Sequence, residues 1–419
     1  MSGVSRRTLL TLWVLAGAVF AATLGSMLVP GVLSAFAEET GISLADVGRS
    51  NAVFGLAYAV AAPVIAWSVR RLEPYTVMMV ALPLVAAAAV AVSQVDTVSQ
   101  LMVARVAQAV AVAGVVPMCT VHAGSIVAGA HRSRALSISF TGMVASSLVG
   151  APLGNLLGAT VGARAAFIMV GTLAVLVCVA VAALRPWQAE LRLAGAEARR
   201  REHGAATVWA SAALVLGATL ATALLEGAAT GGLNTFIAPF LESTTGASGA
   251  LLSALLLCYG IAGLAGNGVL GGLADRLGPA RILTALGVAA AVSVGGLALV
   301  SGPLPAALLL LAWGFCSWAI NPPLQALIVG HSGRHVNVVV GINSSLIYTG
   351  TSIGAALASA QVDQGRLEQL PYLSSVLFVA CAITAGVAWA ATARARRRAA
   401  ATAEVPAGAE TASEEPARA

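Results

Sequence analysis

Lysine is absent from this 419-residue chain, and all 23 basic residues are arginine. Acids are scarce too, so charged residues make up only 10% of the chain, against 58% hydrophobic. A soluble domain carries nearer ~25% charge. So few charges leave most of the outer surface to face lipid rather than water. Cys119, Cys178, Cys258, Cys316 and Cys381 each lie in an apolar run and form no CxxC pair. They read as small packing residues rather than a redox or metal site. His331 and His335, four apart in a loop, read as solvated side chains. A phosphate-binding loop of the G-x-x-x-x-G-K kind needs the missing lysine, so ATP is not an expected energy source. The net charge of +6 sits in short links without interleaved aromatics, which excludes stacked nucleic-acid bases as a partner. No cofactor, metal or catalytic constellation is expected.

What is present is long apolar runs. A bilayer takes about 20 apolar residues per helix. On that rule helices are expected near 9–36, 47–69, 74–95, 98–122, 134–158 and 164–184, then near 208–241, 247–273, 279–301, 304–328, 336–361 and 370–392. The fold class is therefore an all-α membrane protein of about twelve spans. Two six-helix halves, 1–184 and 208–392, flank a polar linker at 185–207, and the Ala-, Glu- and Pro-rich tail 393–419 is expected to be disordered. Ser5-Arg6-Arg7 and Ala35-Phe36-Ala37 imitate export and cleavage signals, but the run from Thr8 to Ala37 is too long for a signal core.

Arginine placement orients the spans. One side receives Arg6, Arg7, Arg70, Arg71, Arg132, Arg134, Arg185, Arg192, Arg199 to Arg201, Arg276, Arg281, Arg334 and the Arg394–Arg398 cluster. The other keeps Arg49, Arg164 and Arg366 beside Glu38, Glu39, Asp46, Asp96, Glu242, Asp363 and Glu368. The positive-inside rule makes the first side, with both termini, cytoplasmic. The alanine-rich, lysine-free composition fits a GC-rich bacterial genome, and hence a bacterial inner membrane.

The halves also repeat. At an offset of 205 residues, Gly41 matches Gly246, Gly55 matches Gly260, Arg71 matches Arg276, Leu72 matches Leu277 and Pro74 matches Pro279. Parallel six-helix repeats are an architecture of alternating-access transporters.

Several motifs carry a family resemblance. Gly271-Gly272-Leu273-Ala274-Asp275-Arg276-Leu277-Gly278 resembles the G-x-x-x-D-R-x-G turn of the major facilitator superfamily. The resemblance implies a gating latch from Gly271, Asp275, Arg276 and Gly278. The first-half counterpart ends Arg70-Arg71-Leu72-Glu73, keeping Arg71 but losing the acid. In the fourth run, Leu101, Arg105 and Gln108 are similar to L-x-x-x-R-x-x-Q-G, with Ala109 replacing the glycine. In the fifth, Gly142 precedes Gly150-Ala151-Pro152-Leu153-Gly154-Asn155, which resembles the G-x-P-x-G segment of proton-coupled exporters. As bare physics, that segment packs tightly and bends. With Ala238-Pro239-Phe240-Leu241 and Pro322-Pro323-Leu324-Gln325, the chain resembles the arabinose-efflux-like branch of twelve-helix drug–proton antiporters. The membrane acid often found in that branch's first helix is missing.

The resemblance implies that Arg105 takes part in proton coupling. Independently, an arginine in a span seeks water or a polar partner; the alternative is a side chain reaching the nearby bilayer end. Glu226 has two readings, a proton carrier in the cavity or a glutamate open to water at a vestibule. Gln108, Asn51, Asn234, Asn267, Asn321 and Asn343 are cavity candidates, with interhelical hydrogen bonding as their other role. The expected function is a monomeric proton-coupled exporter of a small organic molecule, with lipid, protons and substrate as partners. The alternatives are a facilitator or importer, or a membrane sensor.

Overall fold

In this computed structural model, residues 6–69, 72–127, 129–184, 210–332 and 336–403 are described. Among them are twelve spans long and apolar enough to cross a bilayer. A helix satisfies its own backbone hydrogen bonds, as hydrocarbon requires. The first half comprises α1 (Arg6–Met27), α2 (Val29–Thr40), α3 (Leu44–Ser68), α4 (Pro74–Ser93), α5 (Val98–Ser125), α6 (Gly129–Thr160) and α7 (Ala163–Ala183). The second comprises α8 (Ala210–Thr235), α9 (Ile237–Thr245), α10 (Gly249–Leu277), α11 (Pro279–Leu297), α12 (Pro303–Ala319), α13 (Asn321–Ser332), α14 (Val336–Asp363) and α15 (Leu370–Ala403). The helices α2 and α9 are short extensions of the first and seventh spans, and α12 with α13 forms the tenth. The protein is all-α, in two pseudo-symmetric six-helix halves.

Three runs expected to be single helices are broken, at Leu28, Phe236 and Ile320. Pro30, Pro239 and Pro322 follow these breaks within three residues. Proline has no amide hydrogen and fits the first turn of a new helix, so each restarts the chain. The helix α15 continues through Arg394 to Ala403, because alanine and arginine are strong helix formers. The linker 185–207 and the remaining tail lie outside the described residues.

The sequence repeat has structural content. Gly41 and Gly246 close α2 and α9 with left-handed φ of 69° and 67°, a conformation glycine adopts without a Cβ penalty. Pro74 and Pro279 each open a helix. Gly55 and Gly260 sit where the halves touch. A methyl on Gly55 would stand 2.5 Å from Ser352 Oγ on α14, and one on Gly260 2.8 Å from the Leu148 Cα on α6. The halves thus meet along two related seams, α3 against α14 and α6 against α10.

The core shows which end of the bundle is sealed. One buried cluster runs continuously from the first half (Leu28, Leu33, Phe36, Val47) into the second (Phe236, Phe240, Leu241, Leu252). These residues lie at the end opposite the termini, called here the far end. A separate cluster around Met78, Leu82, Val112 and Cys119 belongs to the first half. Outside, Trp67, Val103, Val292 and Val376 are 67–70% exposed, a surface tolerable only against lipid.

Within the first half, α6 lies directly on α1 and α2. Methyl groups at Gly142, Gly150 and Gly154 would collide with or crowd the carbonyls of Ala16, Met27 and Leu28. Pro152 is accommodated inside α6 without ending it. Gly142→Ala is expected to cost about 1–3 kcal/mol by overpacking, read as a lower thermal midpoint in detergent. Gly217→Ala, which meets nothing within 4 Å, is the control and should leave the midpoint unchanged or higher.

Candidate functional site

Arg105 is carried on α5 seven residues past its start, yet its side chain is only 1% exposed. It does not reach the bilayer end. One terminal nitrogen donates to Gln108 Oε1 at 2.5 Å, a turn away on the same helix. The other donates to Asn51 Oδ1 on α3 at 2.8 Å. The guanidinium carbon stands 4.7 Å from the Phe54 ring centroid, so the ring face stabilises the charge. Among the described residues no carboxylate pairs with it. Its Nε and the Gln108 amide nitrogen have no hydrogen-bond partner among the described residues.

This cluster crosses the seam. Asn51 Nδ2 donates to Thr235 Oγ1 at 3.0 Å, and that hydroxyl donates to the Gly231 carbonyl at 2.7 Å. Nearer the termini, Tyr58 of α3 packs on Tyr348 of α14, with ring centroids 4.0 Å apart and the planes tilted by 36°. The second seam is held by Asn155, whose amide donates to the Gly249 carbonyl and Ser253 Oγ, both at 2.8 Å.

Glu226 lies on α8, half-buried, accepting a hydrogen bond from Thr230 Oγ1 at 3.0 Å. Tyr259 and Cys381 are close enough to feel its charge. Tyr259 also packs 4.5 Å from Trp313. Tyr259 and Trp318 line a cavity of about 30 Å³ between the halves, with Met27, Ser147, Asn234 and Leu256. That is room for a water or two. Among the described residues no hydrogen bond or ion pair joins Glu226 to Arg105.

The other candidates scatter. Asn234 reaches the cavity, and Asn51 the arginine cluster. Asn321 bonds the Trp318 carbonyl at 3.5 Å, at the α12–α13 break. Asn343 is fully buried with both amide atoms unpartnered. Gly278 caps α11. Arg71 and the side chains of Asn267, Asp275 and Arg276, with Gly271, lie outside the described set. Sequence reasoning missed Phe54, Thr235, Tyr259 and Trp318, whose roles depend on tertiary neighbours. Asn155 was visible beside the glycine motif.

The far end carries further polar contacts. Arg49 pairs with Asp46 on its own helix and with Asp363 of the other half. Ser34 Oγ of α2 donates to Glu242 of α9 at 3.1 Å. Glu39 accepts from the Ala163 and Arg164 amides at 2.5 and 3.2 Å, capping α7.

Comparison with known proteins agrees with this architecture. The chain is 23% identical over 371 residues to the uncharacterized MFS-type transporter YbcL of Bacillus subtilis, covering 87% of this chain and 92% of that one. It is 28% identical over 381 residues to a chloramphenicol resistance protein of Streptomyces lividans, covering 89% and 94%. In structure it resembles a bacterial homolog of the human lysosomal transporter Spinster, solved inward-facing and unoccupied. The TM-score is 0.69 at 16% identity, covering 93% of this chain and 98% of that one. The Major Facilitator Superfamily profile matches residues 15–355 and 219–413. Those matches take in both halves and the seams between them, and on that evidence the chain belongs to the Major Facilitator Superfamily.

Proposed function

We propose that this protein exports a small organic molecule from a bacterial cell in exchange for protons, within the arabinose-efflux-like branch of drug–proton antiporters. The observation that carries the reading is the Arg105–Asn51–Thr235 chain. It ties a buried cation of one half to the other half, so the charge balance of the interior depends on which end is open. Glu226 is the proton carrier beside the cavity, and the buried core that joins the halves seals the far end. The relative's chloramphenicol resistance supports the efflux direction, and the arginine bias supports cytoplasmic termini. A monomer suffices, since both halves are in one chain.

The test is a substrate panel in everted vesicles, including chloramphenicol, with and without an imposed pH gradient. Uptake driven by interior acidity is the expected result, with a C-terminal tag digestible from outside. Uptake indifferent to the gradient would make the protein a facilitator. Gradient-driven movement in the opposite direction would make it an importer.

The far-end contacts give a pH dependence. Burial pushes the Glu242 carboxyl up, the Glu38 charge adds to that, and the Ser34 hydrogen bond opposes both. Opening would hydrate Glu242 and bring it back down. The closed form therefore binds a proton more readily, and this preference is lost as pH rises through the raised value. Acidification should favour far-end closure in spin-label distances between α2 and α9, and Glu242→Gln should flatten the response. A pH response unchanged in the Gln variant would refute the assignment.

A further inference from the structure

A second recess lies away from both seams. It occupies about 390 Å³ at the termini end of the second half, where α10, α11, α13 and α15 end or begin. That volume is in the ~300–1,000 Å³ range of small-molecule sites. Its described lining is of two kinds. Arg281 and His331 are basic, while Leu277, Leu327 and Trp389 are apolar, and no described lining residue is acidic. Arg281 is exposed and makes no ion pair with a described residue. The His331 Nδ1 is held by the Leu327 carbonyl at 2.8 Å, which leaves only Nε2 for a ligand. Trp389 is 46% exposed.

Each simple occupant fails on one wall. A neutral apolar molecule leaves the Arg281 charge unmatched. A small soluble anion leaves the leucines and the indole wet. An amphiphile with an anionic head satisfies both. Tryptophan prefers the headgroup level of a bilayer, and basic pockets between span ends receive phosphate headgroups. The end in question also gathers most of the chain's arginines. We propose that this recess binds an anionic membrane phospholipid, with its phosphate on Arg281 and the start of its acyl chains against Leu277, Leu327 and Trp389. The site shares no residue with the arginine cluster, Glu226 or the cavity between the halves, and Leu277 and Gly278 place it beside the G-x-x-x-D-R-x-G turn.

The experiment is native mass spectrometry of the delipidated full-length protein, titrated with phosphatidylglycerol, phosphatidylcholine or inorganic phosphate. Phosphatidylglycerol is expected to bind about tenfold more tightly than phosphatidylcholine, because the choline cation offsets the phosphate charge that Arg281 meets. Arg281→Gln should abolish that preference, and Arg281→Lys should keep part of it. Thr392→Trp, which fills the recess without altering charge, should exclude both lipids. Phosphatidylglycerol preference unchanged in Arg281→Gln overturns the proposal. So does unchanged lipid binding in Thr392→Trp. Displacement of the lipid by millimolar inorganic phosphate alone would make this a free-anion site and overturns it too.

Discussion

Arg105→Ala is expected to lower gradient-driven transport more than about 100-fold at matched membrane abundance. Removing the guanidinium takes away the donors to Gln108 Oε1 and Asn51 Oδ1 together. It also leaves a buried void against Phe54. Each buried amide oxygen left without its donor costs about 1–3 kcal/mol. The loss falls on the state with the far end sealed, because Asn51 is then the link to Thr235. Arg105→Lys keeps a charge but not the planar fork that serves two acceptors, so partial activity is expected. Gln108→Leu is the informative control. It removes the intrahelical partner and spares the inter-half bond, and it should cost less than Asn51→Leu. Transport by Arg105→Ala within tenfold of the parent would exclude Arg105 from coupling.

Glu226→Gln is expected to abolish accumulation against a gradient while preserving exchange. The amide oxygen still accepts from Thr230 Oγ1, so the local structure persists and only the titratable proton is gone. Counterflow needs no net proton movement, and it should stay within about fivefold, the size of one neutral hydrogen bond. Proton-driven uptake should fall to the equilibrium level. Tyr259→Phe extends the argument, since Tyr259 lines the cavity wall together with Trp318. A Gln variant that still concentrates substrate under a pH gradient would remove Glu226 from the mechanism.

The legible part of this molecule is what a bilayer demands locally. Twelve spans follow from apolar length, and the 205-residue repeat pairs Gly41 with Gly246 and Pro74 with Pro279 before any coordinates are consulted. The breaks at Leu28, Phe236 and Ile320 were hidden because apolar residues continue through them, and backbone hydrogen bonds such as Leu28 N–H to the Leu24 carbonyl and Phe240 N–H to the Phe236 carbonyl carry across them, so no polar cap marks the sequence. The prolines were the available signal. Arg105, Gln108 and Asn51 stood out as polar groups in apolar runs. Their assembly did not, because Thr235 lies 184 residues from Asn51. The far-end acids were used only to orient the chain, and their pairing across the halves depends on which end is closed.

Gly55 and Gly260 set the mechanics of the machine. Each lies eleven residues after the start of its helix, Leu44 for α3 and Gly249 for α10. At 1.5 Å per residue that is about 17 Å from the far end, near the middle of either helix. Both glycine contacts therefore fall at one depth, and in the proposed alternating-access cycle a line through them is a natural fulcrum. Lever arms on its two sides are nearly equal, so a rotation that opens one end by a few ångströms closes the other by a similar amount. A leak would require both ends to part at once, which two rigid arms on a common fulcrum cannot do without bending.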